Sequence, residues 1–198
     1  LLEAMQERQV TIGEQTFHLE DPFWVLATQN PVEQEGVFAL PEAQLDRFAM
    51  MLRVPYPTAA HEVQMVRTRL EELAITPVAD LQTIVRIRQL ASQVHVDDKI
   101  HQYIVAIGQA TRNSHPGALP IVKEMLQYGI SPRAYQHLLA MARATAFMRG
   151  RDFVSPADVK DIAPDVMHHR LVRTIRAEVE GVGADEVVAE VLRRTPIP

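Results

Sequence analysis

The sequence predicts an α/β unit over its first 57 residues, followed by an all-α region that extends to the end of the chain. Two apolar runs without polar alternation, residues 23–28 and 49–54, predict strands buried on both faces, as in a parallel sheet covered by helices. After residue 58 the apolar side chains recur at helical spacing and no strand pattern returns. The predicted fold class is therefore the last part of an α/β core, with parallel strands, joined to a helical bundle.

The α/β part begins with a helical stripe at Leu1, Leu2 and Met5. A short hairpin follows, because residues 10–12 and 16–19 favour strands and a Gly-Glu pair between them favours a turn. Pro41 suits the first position of a short helix that runs through Phe48. This part ends where Pro-Tyr-Pro, residues 55–57, terminates the second apolar run.

The later segments predict helices with recognisable ends. The predicted helices span residues 58–73, 77–94 with Thr76 as cap, 97–111, 121–128 closed by Gly129, 131–149, a helix from Ser155 with Asp158 at its third position, and 184–194. In the third of these, one stripe joins Ile100, Tyr103, Ile104 and Ile107. We expect three parts: the end of an α/β core at 1–57, a connection at 58–76 and a helical domain at 77–198.

Composition excludes several classes of protein. The 198 residues carry a formal net charge of −5, which argues against nucleic-acid binding over the whole surface, because phosphate neutralisation needs a basic face. There is no cysteine, which excludes a disulfide framework and thiolate metal sites and fits a cytoplasmic location. No apolar run is long enough to predict a membrane span. The first residues lack an initiator Met and read as a helix cut in its middle.

The sequence contains no phosphate-binding P-loop. Its three lysines, Lys99, Lys123 and Lys160, do not follow a glycine, whereas the P-loop pattern requires Gly-Lys. The pair Asp185-Glu186 is preceded by Val-Gly-Ala and predicts the start of a helix, not the end of an apolar strand that would hold magnesium. We expect both segments upstream of Leu1.

Four stretches together resemble one protein family. They are LLEAMQERQVTI at the start, ATQNP at residues 27–31, EQEGVFALPEAQLDRF at residues 33–48 and SPRA at residues 131–134. In composition, order and spacing they resemble the MoxR family of AAA+ ATPases over about residues 1–170. The resemblance implies the end of the ATP-hydrolysing core, followed by the helical lid domain.

The resemblance assigns catalytic roles to Asn30 and Arg47. Asn30 follows the first apolar run, where its amide can orient the attacking water and report the γ-phosphate; the alternative is a turn residue before Pro31. Arg47 is implied to be an arginine finger for the ATP of a neighbouring subunit, and such a finger raises the rate by roughly 10³ to 10⁵. The alternative for Arg47 is a surface ion pair. Asp46 cannot face Arg47 along a helix, because adjacent residues point apart.

Arg133 is the candidate second sensor of bound nucleotide. It lies in the first turn of the helix after Ser131-Pro132, where the helix dipole disfavours a cation, so its position calls for an anionic partner such as phosphate. The alternative is an ion pair with a nearby acid. The residues do not decide whether Arg133 would reach the nucleotide of its own subunit or of a neighbour.

The resemblance implies a function for the complete protein. It implies ATP and Mg²⁺ as cofactors, with the magnesium ligands upstream, a hexameric ring, and ATP-driven remodelling or activation of a partner with a von Willebrand factor A domain. Three alternatives stay open. Residues 131–163 could form a helix-turn-helix that binds DNA, with Arg149 and Arg151 near the turn. The chain could also be a regulatory module that docks on intact rings, or belong to a related branch such as magnesium chelatase or helicase subunits.

Overall fold

A computed structural model of the chain describes residues 2–29, 40–68 and 76–198. Its helices are α1 (Leu2–Glu7), α2 (Glu42–Leu45), α3 (Ala59–Arg67), α4 (Leu81–Ser92), α5 (Asp98–Ala110), α6 (Pro120–Met125), α7 (Pro132–Met148), α8 (Pro156–Met167), α9 (Ile175–Val179) and α10 (Ala184–Arg194). Its strands are β1 (Gln9–Ile12), β2 (Gln15–His18), β3 (Leu126–Tyr128) and β4 (Val172–Arg173). A 3₁₀ turn, His168–Arg170, joins α8 to β4.

The hairpin predicted near the start is confirmed. Strands β1 and β2 pair antiparallel with Val10 opposite Phe17, and Gly13 in the turn between them has a φ of +63°, which glycine adopts without steric cost. Helix α1 is tied to the hairpin because Thr11 donates its amide and its hydroxyl to the Glu3 carboxylate at 3.1 and 2.5 Å. The first helix and the hairpin therefore form one local unit.

The two predicted parallel strands do not form ladders in the described part of the chain. Residues 23–28 and 49–54 do not belong to a strand, and both described sheets are two-stranded and antiparallel. A strand buried on both faces needs a neighbour along each edge, and the described residues supply none. Several of their apolar side chains therefore face solvent, with Leu26 97% and Val54 92% exposed.

Several predicted helix boundaries are corrected by the structure. Helix α3, predicted over residues 58–73, ends at Arg67 with Thr68 as its C-cap. Helix α4 starts at Leu81 and not near Pro77, because Asp80 accepts from the Thr83 amide at 2.7 Å and is the cap in place of Thr76. The helix predicted over 121–128 ends at Met125, since residues 126–128 leave it to pair with β4. Helix α2 ends at Leu45, so that Arg47 lies two residues beyond it.

The helical part buries one apolar core. The predicted stripe on α5 is confirmed, with its four members buried, and α10 starts and ends as predicted. The core gathers buried residues from α5, α6, α7, α8, α9 and α10, and Met50 packs against it from the first part of the chain. The fully buried large side chains are Ile107, Val122, Leu126, Ile130, Leu138, Val159, Val166, Met167, Val187, Val188 and Val191.

The turn between α7 and α8 is held by a buried carboxylate. Asp158 forms the predicted capping box with Ser155 and also accepts from Arg149 at 3.0 Å and from Arg151 at 2.5 and 2.7 Å. Burial by itself raises the pKa of the Asp158 carboxyl, but hydrogen bonds from Arg151 and Ser155 outweigh burial and hold the pKa well below its usual range. The turn is therefore fixed by charge-assisted hydrogen bonds.

Candidate functional site

The segment after α2 lies directly on the helical bundle. The Met51 amide donates to the Asp165 carbonyl at 2.9 Å, and the Arg170 guanidinium donates to the Ala49 carbonyl at 3.2 Å. The Phe48 carbonyl, 3.2 Å from Nε2 of His169, also accepts from Arg170. The main chain next to Arg47 is thereby positioned by residues of α8 and of the 3₁₀ turn that follows it.

Asp46 brings three residues of the helical bundle together. Its Oδ1 accepts from the Ser131 hydroxyl at 2.8 Å and from Nε of Arg170 at 3.1 Å, and its Oδ2 accepts from Arg133 at 2.8 Å. The Asp46 side chain is 18% exposed. We name Asp46, Ser131, Arg133 and Arg170 the Asp46 cluster; it joins residues separated by 85 to 124 positions in the sequence.

Arg170 is the buried cation of this cluster. Its side chain is 1% exposed, and its terminal nitrogens donate to the main-chain carbonyls of Asp46, Phe48, Ala49 and Val166. Burial lowers the pKa of the guanidinium, whereas the hydrogen bond and charge of Asp46 raise it. A buried cation needs such a complete set of acceptors, because an unpaired charge in the interior is costly.

Two neutral histidines border the buried arginine. Arg170 lies 2.6 Å from Nδ1 of His137, and since a guanidinium can only donate, Nδ1 accepts. Burial, followed by the charge of Arg170, lowers the pKa of His137 to about 4 and that of His169 to about 4. The adjacent pair His168 and His169 packs at this junction, and His168 is 9% exposed.

Arg47 is not bonded to the Asp46 cluster. Its Nε donates to the Ala43 carbonyl one turn earlier at 3.3 Å, and within the described residues it makes no ion pair. Asp46 and Arg47 thus face different partners, as their adjacent positions predict. The terminal nitrogens of Arg47 make no hydrogen bond to a described residue, which leaves them available to an anion from outside this part of the chain.

Arg133 lies at the start of α7 and is 39% exposed. Its position predicted an anionic partner, and the anion found is the Asp46 carboxylate. Ser131-Pro132 has the sequence signature of a helix start with Ser131 as cap, but the Ser131 side chain does not cap α7, because its hydroxyl is bonded to Asp46 instead. Helices α3, α4, α5, α8 and α9 all have side-chain caps. The third predicted site residue, Asn30, lies outside the described residues.

The sequence did not single out three of these residues. Asp46 entered only as the neighbour of Arg47, and His137 and Arg170 were given no role. A signal for Arg170 does exist, because a charged side chain follows two histidines between the apolar residues Met167 and Leu171. Its partner 124 positions earlier could not be identified by local spacing.

The described residues contain neither a metal site nor a membrane span. No group of three or more His, Asp or Glu within residues 2–29, 40–68 and 76–198 is arranged to hold a metal ion. Over the same ranges, the helices are too short or too polar to cross a bilayer.

Two family models match the chain. Residues 1–50 match the ATPase family associated with various cellular activities (AAA), and residues 119–191 match the AAA lid domain. A crystal structure of a Cytophaga hutchinsonii protein described as an ATPase superposes with a TM-score of 0.91 at 37% identity, covering 100% of this chain and 61% of that one. The fold is thus that of an AAA+ ATPase, the end of an α/β core followed by a helical lid.

Similar sequences identify the family within the AAA+ ATPases to which the chain belongs. The chain is 38% identical to the chaperone MoxR1 of Mycobacterium tuberculosis over 203 residues, covering 100% of this chain and 53% of that protein. It is 39% identical to the uncharacterized protein YeaC of Bacillus subtilis, covering 100% of this chain and 60% of YeaC. It is also 29% identical to the protein MoxR of Paracoccus denitrificans, covering 86% of this chain and 54% of that protein. The chain belongs to the MoxR family of AAA+ ATPases, and it spans 53% to 61% of the length of its full-coverage matches.

Proposed function

We propose that the complete protein hydrolyses ATP as a ring of subunits and uses the cycle to remodel or activate partner proteins. Family membership and the chaperone name of one relative support the proposal. The single observation that carries it is the presentation of Arg47 beside an anchored Asp46. ATP binding requires a P-loop that this sequence does not contain, so the activity is assigned to the longer protein that supplies one.

Arg47 is proposed as the arginine finger. A finger must have a fixed main chain and a guanidinium that is not neutralised within its own subunit. Asp46 and Phe48, on either side of Arg47, are bonded to Arg170, whereas Arg47 makes no ion pair among the described residues. The guanidinium can therefore be delivered to a neighbouring subunit's γ-phosphate, where charge develops in the transition state.

Arg133 is proposed as the second sensor. It lies at the start of the 17-residue helix α7, whose first turn has no side-chain cap, so that the helix dipole there favours an anion. Asn30 is proposed as the water-orienting sensor from the family motif alone. Mg²⁺ would accompany ATP, and its ligands are expected on the segment that carries the P-loop.

The partners and domain limits follow from the same resemblance. We propose a hexameric ring and a client with a von Willebrand factor A domain, and a division into core residues 1–57, a connection at 58–76 and a lid at 77–198. Use of ATP and a sequence without cysteine fit the cytoplasm.

A DNA-binding role for residues 131–163 is disfavoured by the structure. Arg149 and Arg151, the basic residues at the turn of the predicted helix-turn-helix, are engaged by Asp158, and Arg149 also pairs with Asp161 at 2.7 Å. Contacts to DNA phosphates require basic side chains that are not already paired with carboxylates of the protein. These two arginines are largely neutralised within the chain.

The test is the variant Arg47→Ala in the complete protein. We expect the affinity for ATP to stay within about twofold, because the P-loop provides most ground-state contacts, and kcat to fall by roughly 10³-fold. Arg86→Ala, at an exposed arginine on α4, is the matched control and should keep both parameters. A kcat above one tenth of the wild-type value in Arg47→Ala rings would refute the finger.

A second test uses the 198-residue chain alone. Without the lysine and main-chain nest of a P-loop, we expect calorimetry to show a Kd for Mg-ATP weaker than about 1 mM. A micromolar Kd at a stoichiometry near one would contradict the assignment of nucleotide binding to an upstream segment.

A further inference from the structure

The proposed finger and sensor roles do not explain why Arg133 forms an ion pair with Asp46. Arg133 is 39% exposed and forms one 2.8 Å bond to Oδ2 of Asp46, although its position at an uncapped helix start favours an anion from outside. Oδ2 accepts from no other described residue, because Ser131 and Arg170 both donate to Oδ1. The Arg133 bond can therefore break while the other two stay in place.

We propose that Asp46 is a positioning residue that holds Arg133 in the absence of nucleotide and competes with phosphate for it. This inference rests on the proposed sensor role of Arg133. A phosphate oxygen and the Asp46 carboxylate are the same kind of acceptor for the Arg133 guanidinium. Arg133 must therefore lose its bond to Asp46 when it binds phosphate.

Arg170 holds Asp46 in place when the bond from Arg133 breaks. Arg170 contacts both the carboxylate and the main-chain carbonyl of Asp46, each at 3.1 Å. The Asp46 side chain therefore stays neutralised and oriented after Arg133 leaves. Without Arg170, the Asp46 carboxylate would lose its last cation when Arg133 moved to a phosphate, and this would make the move more costly in free energy.

The decisive variant is Asp46→Asn in the complete protein. Asparagine keeps an acceptor oxygen for Ser131 and Arg170, but it places an amide that cannot accept where Arg133 now binds. We expect the Kd for Mg-AMPPNP, a non-hydrolysable ATP analogue, to fall by about three- to tenfold. The partly exposed ion pair between Arg133 and Asp46 would then no longer compete with phosphate for Arg133. A merely structural role would weaken binding or leave it unchanged.

Two further variants isolate the effect. Asp161→Asn neutralises an aspartate outside the Asp46 cluster, where it pairs with Arg149, so it should leave the Kd within twofold. In an Arg133→Ala background, Asp46→Asn should have no remaining effect on the Kd. If Asp46→Asn rings fail to assemble, the pair Asp46→Ala with Arg170→Met removes both buried charges together and should show the same gain in affinity.

The outcomes separate the two proposals. If Arg133→Ala weakens binding but neither Asp46 variant tightens it, the competition is overturned and the sensor role survives. If Arg133→Ala leaves the Kd unchanged, Arg133 does not contact nucleotide, and both the sensor role and the competition fail. A gain in affinity that persists in the Arg133→Ala background would also overturn the competition.

Discussion

Asp46 and Arg170 are joined through both the side chain and the main chain of the aspartate. Nε of Arg170 donates to the Asp46 carboxylate and a terminal nitrogen donates to the Asp46 carbonyl, each over 3.1 Å. Because Arg47 is the next residue, one buried arginine of the lid positions the main chain that carries the proposed finger. The following predictions test this account and the stability that it implies.

Replacing Arg170 should destabilise the 198-residue chain. Arg170→Met keeps most of the side-chain volume but leaves the Asp46 carboxylate and several main-chain carbonyls without their donor, so we expect a loss of about 3 kcal/mol in the free energy of unfolding. Arg53→Ala, which removes an exposed ion pair to Asp185, is the control and should cost less than about 1 kcal/mol. Urea unfolding measures both, and equal losses would refute the special role of Arg170.

Stability should fall as the pH is lowered from 7 to 5. The pKa values of His137 and His169 are lowered to about 4 from an ordinary 6.5, so between these values the unfolded chain binds more protons than the folded chain. Stability from these groups is therefore complete above pH 6.5 and is lost as the pH falls toward 4. Each histidine contributes about 2 kcal/mol over this range, so we expect a loss on the order of 4 kcal/mol between pH 7 and pH 5.

The variant His137→Asn identifies the source of this pH dependence. Asparagine can still accept from Arg170 but does not titrate, so the slope of unfolding free energy against pH between 5 and 7 should be about half as steep. An unchanged slope would show that His137 is not one of the titrating groups responsible.

Asp158 should be required for the turn between α7 and α8. It is fully buried and accepts from two arginines, so Asp158→Asn leaves Arg149 and Arg151 with a neutral partner and should cost about 2 to 3 kcal/mol of unfolding free energy. The neighbouring Asp161, which is about half exposed and pairs with Arg149, is the control. Thermal or urea unfolding that ranks Asp161→Asn as equally costly would contradict this account.

The proposed lid should fold alone but respond differently at Arg170. A fragment of residues 77–198 retains the apolar core, so we expect a helical circular dichroism spectrum and cooperative unfolding. In this fragment Arg170 loses Asp46, Phe48 and Ala49, so Arg170→Met should stabilise it by about 1 kcal/mol, the opposite sign to its effect in the longer chain. A destabilising effect in both would show that Arg170 acts only within the lid.

Local signals predicted most of the helical part. The stripe on α5, the capping box of Ser155 and Asp158, and the span of α10 rest on spacing of a few residues, and the structure has all three. Helix α4 was misjudged because Thr76 and Asp80 are both acceptable caps, and only the structure shows that the Asp80 side chain binds the helix.

The long-range part of the site could not be predicted in the same way. Ser131 has the sequence signature of a cap, but a carboxylate 85 positions away takes its hydroxyl. The apolar runs at 23–28 and 49–54 were predicted as buried strands, and burial depends on neighbours that the described chain does not provide. Contacts between distant segments depend on tertiary packing, and the spacing of residues within one short segment does not predict them.

The central claim is that Arg47 completes the ATP site of another subunit, and mixed rings test it most directly. Arg47→Ala subunits are combined with subunits whose P-loop lysine has been replaced, and ATP turnover is measured after co-assembly has been demonstrated. Neither variant alone can form a complete site, whereas an intact P-loop in one subunit can meet an intact Arg47 in the other. We predict that the mixture recovers up to about a quarter of the wild-type turnover, the share of neighbouring pairs in random mixing that unite both intact elements. Mixed rings that stay as inactive as either parent would contradict the account.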